Sequence, residues 1–172
     1  ISGRPAPKPM AAQPGPSAVP LVWTRGGADD CAAVAHCAQL AFDPRFREAW
    51  TAPQIRQIVD DPCGWLELGT MSGGPLVAFA LCRQLYDQSE LLLCAVHPGF
   101  RGRGVGRALI AEVCASARAR GARRLFLEVR CSNAEAQRLY CACGFVQCGT
   151  RPGYYRSASG ELIDAITLTR NV

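Results

Sequence analysis

The chain has 172 residues, 49% of them hydrophobic and 19% charged, with a formal net charge of +5. That length and apolar fraction suit one compact domain with its own core. No apolar run approaches the roughly 18 residues of a membrane-spanning helix. No signal-peptide core with a cleavage site opens the chain. The positive excess is mild and forms no basic stripe interleaved with aromatics, which argues against a nucleic-acid binder.

Residues Ile1 to Pro20 are rich in Pro, Ala and Gly and read as a disordered leader. The chain does not begin with Met, and Met10 is a candidate native start. Residues 21–172 then read as one domain. Leu21 to Thr24 is a short apolar strand. Asp29 and Asp30 open a helix whose apolar positions (Ala33, Val34, Cys37, Leu40, Ala41) recur at helical spacing to about Phe42. Asp43 to Trp50 is irregular. Thr51-Ala-Pro-Gln54 is a capping-box start with Pro early in the helix, which runs to about Asp60. These two helices are expected to form one wall over a sheet.

Trp65 to Thr70 and Leu76 to Leu85 are strands joined by the hairpin turn Ser72-Gly73-Gly74-Pro75. Glu90 to Val96 is the next strand. Gly104 to Arg120 is a long helix that ends before Gly121, a common helix stop. Arg123 to Arg130 is a strand, and Asn133 to Cys143 is a helix stopped by Gly144. Phe145 to Thr150 and Leu162 to Thr169 are the last strands, joined through Gly153-Tyr154-Tyr155 and a Ser-rich turn. The order β-α-α-β-β-β-α-β-α-β-β predicts an α/β domain with a mixed, mostly antiparallel central sheet and helices on both faces.

The stretch from Glu90 to Ile110 organises the whole. An apolar strand ends at Pro98, a Gly/Arg loop follows, and an apolar-periodic helix begins. The first N–H groups of a helix lack intrahelical partners and carry the positive end of its dipole. Glycines at 102, 104 and 106 let the backbone approach a pyrophosphate. Arg101, Arg103 and Arg107 add charge in a form that suits phosphate oxygens. The Lys-Ser/Thr of a Walker loop is missing, and Gly-x-Gly-x-Gly is not the dinucleotide fingerprint.

Arg101, Gly104 and Gly106 fit Arg/Gln-x-x-Gly-x-Gly, which resembles the acetyl-coenzyme A loop of the GCN5-related N-acetyltransferase (GNAT) superfamily. A second block runs Leu127-Glu128-Val129-Arg130-Cys131-Ser132-Asn133 and on to Leu139-Tyr140 and Gly144-Phe145. With Gly153-Tyr154-Tyr155 and Asp164-Ala165 it is similar to the ribosomal-protein-alanine N-acetyltransferases (RimI-like). These acetylate the N-terminal alanine of small-subunit ribosomal protein eighteen. The resemblance covers roughly Leu21 to Leu168.

It implies a GNAT fold, acetyl-CoA as acetyl donor with CoA as product, and a protein or peptide N-terminus as acceptor. The implied setting is the cytoplasm, without nucleic acid or membrane, for a monomer or weak dimer. Backbone groups of Cys94, Ala95 and Val96 would bind the pantetheine arm as an added strand does. Arg101, Gly102, Arg103, Gly104, Val105, Gly106 and Arg107 would hold the pyrophosphate, and Asn133 would touch the cofactor. Glu128 would be the general base and Tyr140 the general acid beside the cofactor. Trp50, Glu90, Tyr154 and Tyr155 are candidates for the acceptor groove.

The chemistry asks for these types. An ammonium must lose a proton before it attacks a thioester, and a carboxylate can take that proton directly or through water. A tyrosine hydroxyl can protonate the departing sulfur. An α-amine has a pKa of about 8 and lysine one of about 10.4, so a single modest base suits the α-amine.

Read without the motif, Glu128 alternates with Leu127 and Val129 and fits the polar face of a strand, paired with Arg130 or Arg103. Tyr140 read likewise fits packing at a helix end. A lysine, polyamine or other small-amine acceptor, or a non-catalytic CoA-binding module, are the rival readings. The ten cysteines show no Cys-x-x-Cys pair and no zinc spacing, which predicts no metal and mostly buried free thiols. Asp43 to Ala49 reads as an insertion relative to the family, bordering the acceptor. Ile163 stands where the family has an acid, with Glu161 and Asp164 as compensating acids.

Overall fold

The computed structural model describes residues 20–172. The leader, Pro20 apart, and the candidate start at Met10 lie outside the described residues. The elements run β1 (Leu21–Gly26), α1 (Cys31–Ala41), α2 (Ala52–Val59), β2 (Gly64–Met71), β3 (Leu76–Leu85) and β4 (Gln88–Val96). They continue α3 (Val105–Ala119), β5 (Arg124–Arg130), α4 (Ala134–Ala142), β6 (Val146–Arg156) and β7 (Leu162–Asn171). The order is the one the residue pattern predicts. The Thr51 start of α2 also forms as read: the Gln54 side chain accepts the Thr51 N–H at 2.9 Å.

The strands form one sheet in the order β1-β2-β3-β4-β5-β7-β6. Among the described residues one neighbouring pair, β4 and β5, is parallel. Parallel neighbours need a crossover, and α3 provides it. Helices cover both faces. Phe79 and Leu81 of β3 pack with Val34 and Ile55 under α1 and α2, while Ala80 and Cys82 face Leu109 and Val113 of α3. β3 is thus buried on both sides, which explains its nearly unbroken apolar run. Each fully buried Phe or Leu contributes roughly 1.5–3 kcal/mol.

Two irregularities shape the site. First, β4 pairs with β5 only from Gln88 to Leu91, opposite Arg124 to Leu127. Beyond that the strands part. The register between β3 and β4 slips at this level, with Leu81 opposite Leu93 and Cys82 opposite Leu91. Leu92 is therefore an extra residue, and such a bulge bends its strand. Second, β6 is longer than predicted. Gly153 to Tyr155 belong to β6 rather than to the connection, as a bulge in which Pro152 to Tyr154 oppose Asp164 alone. Gly153 takes a φ of +60°, and its N–H donates to Asp164 Oδ1 at 2.8 Å. Asp164 is thus spent on the bulge, not held out as a free acid for a basic acceptor.

The cysteine expectation holds in part. All ten thiols are free. Cys31, Cys37, Cys82 and Cys114 are buried, but Cys63, Cys131, Cys141 and Cys148 are exposed. Periodicity puts a residue on a helix or strand face, and only the neighbouring element decides whether that face is covered.

Candidate active site

The parting of β4 from β5 opens two clefts that meet. The larger encloses about 810 Å³ and runs from the split strands to the start of α3. The smaller encloses about 360 Å³ and opens between the split and the β6 bulge. Cys94, Arg130, Asn133 and Tyr140 line both.

The start of α3 closes the larger cleft. Gly104 is its N-cap with φ +79°, and Gly102 before it has φ +72°. The first intrahelical bond runs from the Ala108 N–H to the Gly104 carbonyl, so the N–H groups of Val105, Gly106 and Arg107 have no helical partner. Among the described residues no side chain caps them. Among the described residues, a Cβ added at Gly102 or Gly104 would meet no atom within 4 Å. That open space faces bare N–H groups at the positive end of a 15-residue helix, a setting that suits an anionic group. The residues present suit acetyl-CoA.

The loop divides its labour more finely than the pattern implied. Gly102, Gly104, Gly106, Arg101 and Arg107 line the cleft. Gly106 also serves packing: a Cβ there would sit 3.1 Å from Leu139 Cδ2, so its absence lets α3 come against α4. Arg101 is a strut. Its guanidinium donates to the carbonyls of Val96 at 3.3 Å and Ala41 at 2.6 Å, tying the loop to the end of α1. Arg103 does not line the cleft, and its guanidinium lies 5.6 Å from the Phe100 ring centre. Val105 sends its side chain into the core, leaving its N–H for the cradle.

Cys94, Ala95 and Val96 lie on β4 past the last β5 pair, so among the described residues no strand covers their β5-facing edge, where the Val96 carbonyl accepts from Arg101. An extended ligand arm can add to such an edge. Asn133 caps α4, its Oδ1 accepting the Ala136 N–H at 3.1 Å. The expected cofactor contact is left to its amide nitrogen.

Tyr140 projects from α4 into the junction of the clefts, 8% exposed. Its hydroxyl lies 3.3 Å from Cys94 Sγ, and its ring meets Phe145 edge-on at 5.8 Å. Burial, reinforced by Cys94, pushes the Tyr140 hydroxyl well above the ordinary tyrosine pKa. It therefore stays protonated, as an acid must. Burial also raises the Cys94 thiol.

Glu128 lies on β5 in the smaller cleft with a side chain 15% exposed. Its partner is neither Arg130 nor Arg103 but Arg151 of β6, whose Nη1 donates to Oε1 at 2.7 Å. Tyr155 donates its hydroxyl to the Glu128 carbonyl at 3.3 Å. Trp50, Tyr154 and Tyr155 line this cleft. Burial and the Glu128 carboxylate push the Tyr154 hydroxyl above its ordinary pKa. Glu90 does not line it. Glu90 sits where β4 and β5 still pair and binds Arg83 at 2.8 Å.

Sequence reasoning missed a buried ion pair. Glu48 and Arg130, with side chains 12% and 8% exposed, meet at 3.3 Å through two N–H contacts. The Arg130 guanidinium also lies 3.3 Å from the Phe46 ring centre. The Asp43–Ala49 segment is thereby pinned across the junction of the clefts. Nothing in the local pattern marks Glu48, because its partner is 82 residues away.

Among the described residues no group of three or more His, Cys, Asp or Glu could hold a metal, and no helix is long and apolar enough to cross a membrane.

Similarity to known proteins agrees with this geometry. The chain is 38% identical over 93 residues to the [ribosomal protein bS18]-alanine N-acetyltransferase of Haemophilus ducreyi, covering 54% of this chain and 64% of that one. It is 40% identical over 108 residues to N-alpha-acetyltransferase RimI of Mycobacterium tuberculosis, covering 60% of this chain and 65% of that one. The chain thus spans just under two thirds of the length of these curated relatives. The crystal structure of the ribosomal-protein-alanine N-acetyltransferase of Escherichia coli superimposes with a TM-score of 0.78 at 28% identity, covering 88% of this chain and 94% of that one. The model of the acetyltransferase (GNAT) family matches residues 31–145. With the split sheet and the bare helix start behind it, this match establishes that the chain belongs to the GNAT family.

Proposed function

We propose that this chain acetylates the α-amine of an N-terminal alanine, that of small-subunit ribosomal protein eighteen. The observation that carries the reading is the junction of the clefts. Glu128 stands in the smaller cleft and Tyr140 lines both, so a base and an acid flank one passage. Relatives named for that activity in Haemophilus ducreyi and Escherichia coli support the acceptor.

Acetyl-CoA supplies an activated acetyl thioester. The larger cleft would hold it, with the N–H groups of Val105, Gly106 and Arg107 and the Arg107 guanidinium at the pyrophosphate. The edge of Cys94 to Val96, which no strand covers among the described residues, would take the pantetheine arm. Glu128 would receive the proton of the acceptor ammonium, directly or through water. The Tyr140 hydroxyl, now beside Cys94 Sγ, would turn to the departing sulfur and protonate it. Trp50, Tyr154 and Tyr155 would bound the acceptor. The ten free thiols accord with a reducing cytoplasm.

The test is mass-spectrometric acetyl transfer onto peptides with free Ala starts, other starts, blocked N-termini, and small amines. Acetylation of the α-amine on free Ala-led peptides alone is the expected result. Modification of lysine in blocked peptides, or of small amines only, overturns the acceptor. Glu128→Gln and Tyr140→Phe should each keep acetyl-CoA binding while turnover falls by about 100-fold or more. Native turnover in both variants would remove these roles.

A further inference from the structure

The Glu128 carboxylate is held from two strands away. β7 lies between β5 and β6, so the Glu128 row reads Glu128–Thr167–Gly149 and the next row on that face reads Arg130–Ala165–Arg151. Neighbouring strands lie about 4.8 Å apart, so Arg151 must reach across roughly 10 Å to touch Glu128. The diagonal from Arg151 to Glu128 crosses β7 between Thr167 and Ala165, where the small Ala165, and Gly149 beside Thr167 on β6, leave room for that reach. The β6 bulge sets the angle, pinned by the Asp164 bond to the Gly153 N–H. Tyr154, carried on the same bulge, lies under the guanidinium with its ring centre 4.2 Å from Arg151 Cζ. The Arg151 side chain is itself 56% exposed. An exposed arginine has every freedom to point into solvent. Here a bulge, a ring and a carboxylate converge to stop it.

We propose that Arg151 is a positioning residue for the reaction. By binding Oε1 of Glu128, with the Tyr154 hydroxyl beside the same carboxylate, it fixes the rotamer in which the carboxylate meets the acceptor's proton. The inference rests on the reading of Glu128 as the base. Arg151 touches neither acceptor nor acetyl donor in this role. Its loss should lower the rate of proton removal while leaving cofactor binding intact, because the cofactor cleft is built from other residues.

The experiment is steady-state kinetics of the full chain on an Ala-led peptide, with Arg151→Ala and Arg151→Lys alone and in a Glu128→Gln background. Acetyl-CoA affinity is followed by calorimetry. Arg151→Ala should lower kcat by about 10- to 100-fold, the scale of a misplaced reacting group, with acetyl-CoA affinity unchanged. Arg151→Lys should recover part of the rate, since the pair uses a single N–H contact. Because the native side chain is exposed, added guanidinium chloride at non-denaturing concentration should partly restore Arg151→Ala. In the Glu128→Gln background Arg151→Ala should cost nothing further, as partners in one unit are non-additive. An unchanged or raised kcat in Arg151→Ala overturns the proposal and makes Arg151 a competitor of the acceptor. So does a loss that guanidinium leaves untouched and that persists without Glu128. Native turnover in Glu128→Gln alone removes the base reading, and the positioning role with it.

Discussion

Replacing Gly104 by Asp separates phosphate binding from folding. Gly104 has φ +79°. A side chain in that conformation costs roughly 1–2 kcal/mol, and Asp sits at the low end because it bonds locally. No steric cost adds to it, since a Cβ there meets nothing within 4 Å. A carboxylate at a helix N-terminus returns about 0.3–1 kcal/mol through the dipole. The net change in folding stability is therefore within about 1 kcal/mol, or a few degrees of Tm for a domain of this size. Binding responds differently. The new carboxylate would stand in the proposed cradle; for a separation of about 5 Å from a bound phosphate and an effective dielectric near 20, the repulsion is on the order of 3 kcal/mol. That is a loss of about 100-fold in acetyl-CoA affinity. Gly104→Asn fills the same space without the charge and should weaken binding clearly less. Calorimetric titration of all three proteins at two salt concentrations reads both numbers, and the gap between Asp and Asn should shrink with salt. A folded Gly104→Asp protein that binds acetyl-CoA as tightly as the native one would refute the phosphate-cradle assignment.

Glu48→Gln should destabilise the fold by about 3 kcal/mol, because it leaves the buried Arg130 guanidinium without its carboxylate; an unmoved urea midpoint would count against a structural role for the pair. Thiol alkylation followed by peptide mass spectrometry should label Cys63, Cys131, Cys141 and Cys148 first. Cys37, buried and with its thiol pushed up to about 11 by desolvation, should react only on unfolding. Tyr140 favours its neutral form when folded, since burial raises its pKa. Its contribution is complete below the ordinary tyrosine pKa of about 10 and is lost as the pH climbs above it. Denaturant titrations at pH 9 and above pH 10 should show a steeper alkaline loss for the native protein than for Tyr140→Phe, and equal slopes would contradict the burial-driven shift.

What could be read from the residues alone was local in origin. The 3.6 and 2.0 periodicities, the Thr51 and Asp30 starts and the Gly121 and Gly144 stops act over a few residues, so the element order follows from the chain. The cradle is equally local, because Gly102, Gly104 and the first N–H groups of α3 are neighbours in sequence. Glu128 and Tyr140 stood out through the motif that contains them.

The rest needed strands that meet only after folding. The order β5-β7-β6 brings Arg151 to Glu128, a pairing that local spacing assigned to Arg130 or Arg103. The bulge at Leu92 and the parting of β4 from β5 create the clefts, and neither leaves a mark on apolar periodicity. Arg101 reaches back 60 residues to Ala41, and Gly106 packs against Leu139. Short-range patterns carry the conformation of each segment. Contact between side chains far apart in the chain depends on sheet order, register and bulges, and those are decided by the packing of all the segments at once.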